Sequence, residues 1–322
     1  MTASTSTGAH PPAAPKPLWR SYLAFLGPMI FSNFLQSVSG TVNNIYLGQM
    51  LGVKAMAAVS AFFPVLFFLI AFMIGLGSGA SVLIGQAWGA RELDRVKAIA
   101  GTTLMTGLIA GLVVAVFGGS FADMMLVALG TPADILPGAT AYARIMLIAA
   151  PGVFTFLLAT SMLRGVGDTR TPLLTLLIST AVGLLLTPAL IRGWLGLPPL
   201  GVTSGAWAAV ASYLIALGWT ARHLLRQHHA LAPDAAFRSH LRIDRALLTK
   251  VLRIGLPTGL SMMTIAIAEI SVLFLVNRFG SQATAAYGAV NQIVSYVQFP
   301  AISIAITASI LGAHAIGAGR TH

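Results

Sequence analysis

The 322-residue sequence contains no cysteine. A disulfide framework and a thiolate metal site are therefore both excluded. Charge is scarce as well: Asp, Glu, Lys and Arg together make up 8% of the chain, where a soluble domain carries about a quarter. Acidic residues number only eight: Glu92, Asp94, Asp123, Asp134, Asp168, Asp234, Asp244 and Glu269. Seven fall in connecting segments or near the ends of apolar runs, and only Glu269 falls in the middle of one. Histidine is missing from the middle of every apolar run. A paired-carboxylate site and a nucleophile with its base are thus both excluded from the apolar interior, which argues against an enzyme. No cofactor-binding motif is present. The histidines of the 222–253 segment (His223, His228, His229, His240) lack a regular ligand spacing and read as solvated loop residues, not a metal site.

What is abundant is apolar: hydrophobic residues make up 57% of the chain and the mean hydropathy is +0.85. Residues 1–17 are Ser-, Thr-, Ala- and Pro-rich and read as part of a disordered tail, 1–20. That stretch lacks the apolar core of a signal peptide. Apolar runs then follow at 22–47, 56–83, 98–120, 137–160, 171–192, 203–222, 255–277 and 285–311. Each is long enough to cross hydrocarbon as a helix, which takes about 20 residues. The expected fold is an all-α polytopic membrane protein of about eight transmembrane helices.

The net charge of +11 reflects topology, not nucleic acid. With a cytoplasmic N-terminus, 15 of the 19 Lys and Arg residues fall on the cytoplasmic side and 4 on the other. The positive-inside rule then places both ends of the chain in the cytoplasm and the protein in the cytoplasmic (inner) membrane.

Shifting the chain by 228 residues superposes Gly27 on Gly255, Leu47 on Leu275 and Gly52 on Gly280. Ser81, Leu83, Ala87, Gly89 and Ala90 meet Ser309, Leu311, Ala315, Gly317 and Ala318 in the same register. Six spans, an even number, separate the two starts, so the copies share one orientation. Parallel repeats of this kind build transporters. Residues 21–230 read as a six-helix first lobe, and 231–322 as the first two helices of a second whose other four lie outside the sequence.

Between the fourth and fifth runs lies the polar island Leu163–Pro172, LRGVGDTRTP. Its charges and turn residues exclude it from hydrocarbon. Thr171 and Pro172 suit a helix start, with threonine as cap and proline at the first helical position. Polar strips mark two spans. In the first, Ser32, Gln36, Ser39 and Asn43 fall within about 60° at 100° per residue. In the eighth, Asn291, Ser295 and Gln298 form a similar strip. Such strips face neighbouring helices or a water-filled cavity. Pro64, Pro151, Pro188 and Pro300 lie within spans and can kink them. Glu269, with no basic residue at helical spacing inside its span, is a functional candidate by the cost of an intramembrane carboxylate. Desolvation there would favour its neutral form and suit it to binding and releasing a proton.

LRGVGDTRTP, GQAWGAR at 85–91, GAGR at 317–320 and LGVKAMAAVSAFFPV at 51–65 together resemble the multidrug and toxic compound extrusion (MATE) transporters over residues 20 to 322. The resemblance implies two six-helix lobes rocking about a central cavity. It also implies exchange of drug-like organic cations for protons or sodium, without a cofactor. The motif residues carried over are Arg164, Gly165, Gly167, Asp168, Thr169 and Pro172. The cavity candidates are Gln36, Ser39, Asn43, Asn291, Ser295 and Gln298. Where the family commonly has V-D-T and L-D-P, this chain has Val42-Asn43-Asn44 and Leu186-Thr187-Pro188, and the asparagine one turn before the latter is Gly183. The first-lobe cation site of many relatives is thus without its carboxylates, which leaves Glu269 as the candidate coupling group. The expected partners are small organic cations and the lipid bilayer, with protein partners undefined by the sequence. A lipid-linked or oligosaccharide flippase of similar fold is the alternative, ranked lower because the spans carry almost no arginine for a phosphate. An inactive shortened transporter is a second.

Overall fold

In the computed structural model, residues 18–194, 199–277 and 281–319 are described, and among them the regular structure is helical. The elements are α1 (Leu18–Leu51), α2 (Val53–Gly89), α3 (Leu93–Val113), α4 (Ala122–Ala128), α5 (Leu136–Ile148) and α6 (Ala150–Gly165). They continue with α7 (Arg170–Arg192), α8 (Ser204–Arg226), α9 (Ala235–Ser239), α10 (Arg245–Asn277) and α11 (Ser281–Gly317). The predicted tail, residues 1–17, lies outside the described residues.

Six helical stretches are long and apolar enough to cross a bilayer, and α5 with α6 forms a seventh span bent by 56°. The bend falls at Ala149, just before Pro151, which has no N–H to give to the carbonyl one turn earlier. The first predicted span, α1, has 34 residues, ample to cross, but is less apolar than the others. Two of its polar groups are turned toward protein: Asn43 meets α7, and Asn33 Nδ2 donates to Ser303 Oγ of α11 at 2.8 Å.

Two apolar clusters tie α2 to the helices packed around it. One gathers Met73, Leu76 and Ile84 of α2 with Ile99 of α3 and Phe154, Leu158 and Leu163 of α6. The other joins Phe62 of α2 to Leu126 of α4, Tyr142 and Met146 of α5 and Ala206 of α8, with the Phe62 and Tyr142 rings edge to face at 6.1 Å. In lipid such contacts hold helices by van der Waals packing, so small residues that allow close approach matter most.

That rule is plainest where α10 meets α2. A Cβ on Gly75 would lie 2.6 Å from the Gly255 carbonyl oxygen, and one on Gly79 2.9 Å from Gly255 N. The two backbones touch directly. The contact related by the 228-residue shift, α1 with α11, is made instead by side chains: Asn33 with Ser303, and Met29 with Thr307.

The linker between the repeats departs from the expected solvated loop. α8 runs on to Arg226, and the following segment lies against α3 with Leu231, Ala232 and Phe237 buried. Thr102 Oγ1 donates to the Arg242 carbonyl at 3.0 Å, and the His240 backbone rests on Gly101, where no side chain would fit. Asp234 caps α9 by accepting from Phe237 N at 2.7 Å.

Candidate functional site

The ends of α2 and α11 cross with the symmetry the repeat demands. A Cβ on Gly89 would lie 3.0 Å from His314 Cα, and one on Gly317 would lie 2.9 Å from Gln86 Cα. Under the 228-residue shift Gly89 becomes Gly317 and Gln86 becomes His314, so each contact is the image of the other. The helix ends match too: Arg91 (φ 61°) and Gly319 (φ 69°), also related by the shift, are both left-handed. The pseudo-two-fold axis therefore passes between α2 and α11, and the copies point the same way.

The polar island sits beneath this crossing. α6 ends in a Schellman motif: Gly167, left-handed at φ 87°, donates from N to the Arg164 carbonyl at 2.9 Å, and Asp168 N to the Leu163 carbonyl at 3.0 Å. Asp168 then caps α7, its Oδ1 accepting from Arg170 N and Thr171 N at 3.0 Å each. This corrects the expected cap. Asp168, not Thr171, caps the helix, which begins at Arg170, so Pro172 is its third residue, where a missing N–H is still tolerated. Thr169 and Pro172 are buried, Arg164 is half-buried, and Gly165 abuts the backbone of Ser81. His314 Nε2 lies 2.7 Å from the Gly165 carbonyl, with its ring against Gly85 and Gly167. His314 thus ties the second repeat to the island, a contact sequence reading missed. Its one signal was register, as the counterpart of Gln86 inside a glycine-rich helix end.

His229, expected in solvent, is mostly buried beside the island, with Nε2 3.9 Å from Asp168 Oδ2 and Nδ1 accepting from Leu231 N at 3.2 Å. Burial holds its imidazole below the usual range, partly offset by the Asp168 carboxylate, and nearby His223 lowers it further.

Away from the crossing, burial falls off among the described residues of the repeat helices. The buried described residues of α10 are Val251, Gly255 and Gly259, all in its first half, and those of α11 begin at Ser303. The second half of α10 buries no described side chain. Glu269 lies there, exposed and without a hydrogen bond to another described residue, so the desolvation expected for it is not met by these helices. Of the α1 strip, Gln36 is exposed and Ser39 and Asn43 are half-buried. Gln298 is exposed, and the side chains of Asn291 and Ser295 lie outside the described set. Asn43 and Thr187, which stand at the two carboxylate positions of the family pattern, are neighbours: Thr187 Oγ1 is 3.4 Å from Asn43 Oδ1 and donates to the Gly183 carbonyl at 2.8 Å. A Cβ on Gly183 would lie 3.2 Å from Ser212 Oγ, so the asparagine commonly found there has no room until Ser212 moves.

The family model MatE matches residues 28–189 and 257–322, both repeats. The chain belongs to the MatE family. It is 45% identical over 303 residues to the probable multidrug resistance protein YoeA of Bacillus subtilis, covering 94% of this chain and 65% of that protein. It is 23% identical over 292 residues to the multidrug export protein MepA of Staphylococcus aureus, covering 89% of this chain and 62% of that one. The MatE chain thus spans about two-thirds of the length of these relatives. A crystal structure of MATE in complex with MaD3S has the same fold, with a TM-score of 0.84 at 24% identity, covering 94% of this chain and 66% of that one. An outward-facing MATE-family transporter matches with a TM-score of 0.82 at 25% identity, covering 94% and 65%.

Proposed function

We propose that this chain supplies one complete lobe (residues 21–230) and the first two helices of the second (231–322) to a multidrug exporter. It works by alternating access, exchanging drug-like organic cations for protons or sodium. The carrying observation is the pseudo-symmetric crossing of α2 and α11: the repeats are locked together at one end, and burial among the described residues falls off toward the other. The charge distribution makes the locked end cytoplasmic and both chain ends cytoplasmic in the inner membrane. The conformation is then outward-facing, in keeping with the outward-facing relative. Rocking requires the α2–α11 crossing, Gly89 against His314 and Gly317 against Gln86, to part while the far ends close.

Asn43 and Thr187 carry no carboxylate, so the coupling role falls to Glu269, the acid in the middle of a spanning helix. The test is ethidium efflux from cells, with the chain alone and with it joined to the remaining third of YoeA. Glu269→Gln keeps the shape of the side chain and is expected to abolish efflux driven by a proton or sodium gradient while leaving dye binding measurable. Parental efflux by that variant would refute the coupling role. A reporter at Gly130 found in the cytoplasm, or one in the α8–α10 linker found outside, would overturn the orientation.

A further inference from the structure

We propose that the end of α8 carries a binding site for the headgroup of an anionic phospholipid. Leu214, Ile215, Gly218, Ala221, Arg222, Leu225 and Arg226 fall within an arc of about 140° at 100° per residue. The opposite face, Ser212, Ala216, Thr220 and Leu224, is buried in the bundle. Along the outward arc Leu214, Ile215 and Leu225 are 52%, 50% and 44% exposed. Gly218 interrupts this apolar surface, with nothing within 4 Å of a Cβ built there. The result is a shallow, open notch on the α8 surface lined by Gly218, Ala221, Arg222, Leu225 and Arg226. Because α8 is a spanning helix that ends at Arg226, the notch lies in the apolar layer and the two guanidinium groups at its boundary with water. An acyl chain fits the notch and a phosphate fits the arginines.

The charges make the same demand. Arg222 and Arg226 are exposed, and neither forms an ion pair among the described residues, whose acidic partners lie elsewhere (Asp134, Glu92 and Asp168). Two like charges one turn apart repel on an isolated helix. A phosphate between them turns that repulsion into paired, charge-assisted hydrogen bonds, for which the arginine fork is well shaped. Trp219, stacked on His223 at 4.8 Å beside them, reports on the site.

The full chain is placed in nanodiscs of phosphatidylcholine with a minor share of phosphatidylglycerol, and lipids retained on release are counted by native mass spectrometry. Wild type is expected to keep phosphatidylglycerol selectively. Arg222→Gln with Arg226→Gln should lose roughly 30-fold in that preference, from about 1 kcal/mol per basic residue near an anionic surface. Gly218→Leu, which fills the notch and keeps both charges, should weaken retention as well. Excess inorganic phosphate should not compete, whereas competition would assign the site to a soluble phosphate and overturn the lipid. Equal loss on Arg91→Gln with Arg95→Gln would show general surface charge and refute a site. Brominated phosphatidylglycerol should quench the emission that Trp219→Phe removes more than brominated phosphatidylcholine does. Equal quenching in the unsubstituted protein refutes the proposal without any arginine variant.

Discussion

Gly89→Ala and Gly317→Ala test the crossing of α2 and α11 directly. Each adds one methyl group where the next backbone already stands: 3.0 Å from His314 Cα in the first case and 2.9 Å from Gln86 Cα in the second. The obstacle is a helix backbone, not a movable side-chain tip, so the helices must part locally. Overpacking of this kind costs about 1–3 kcal/mol, which is about 5- to 150-fold in the equilibrium between locked and parted ends. The absence of native cysteine makes the assay clean. A single cysteine replaces half-buried Gln86, and its maleimide labelling rate is followed in nanodiscs. Both alanine variants should raise that rate, and by similar factors because they are images in one pseudo-two-fold contact. Gly312→Ala, with open space around its Cβ, is the control and should leave the rate unchanged. Unchanged labelling in both crossing variants, or a large effect in one and none in the other, would refute the symmetric lock.

Other outcomes follow from single residues. Gly167→Ala should lower stability by about 1–2 kcal/mol, because its φ of 87° is left-handed. Arg91→Gly should raise it by about 1 kcal/mol for the same reason at φ 61°, both read as shifts in thermal midpoint. Asp168→Ala should cost about 1 kcal/mol through loss of the α7 cap, while Asp168→Asn retains most of it. His229 titrates below its usual value in the folded protein, so below about pH 6.5 the unfolded chain binds the extra proton. Stability should therefore fall as pH drops from there toward the folded-state pKa, and His229→Gln should flatten that part of the melting-temperature profile.

Much of this was legible in the sequence. The eight apolar runs became helices, and the 228-residue register that marked the repeat relates the helix ends the structure brings together, including the left-handed residues at 91 and 319. What the sequence could not order was competition among equivalent residues. DTRTP offers three cap candidates within five residues, and Asp168 prevails because the Schellman turn at Gly167 points it at the first free N–H groups. The linker was misjudged because its apolar residues are scattered among charges and histidines with no long run, although Leu231 and Phe237 are the ones that anchor it. The α1 strip predicted a polar face but not its division. Asn43 turns to α7, Ser32 returns to the Pro28 carbonyl at 2.7 Å, and Asn33, outside the strip, makes the bond to the other repeat.

The two seams related by the pseudo-two-fold axis have become mechanically different. Between α2 and α10, glycine faces glycine, and no side-chain hydrogen bond among the described residues has to break when one helix slides along the other. Between α1 and α11, the same displacement breaks the Asn33–Ser303 bond and drags Met29 across Thr307. One copy of the duplication thus holds a bearing and the other a detent. A rocking motion shared by two such seams turns freely about the first and clicks at the second.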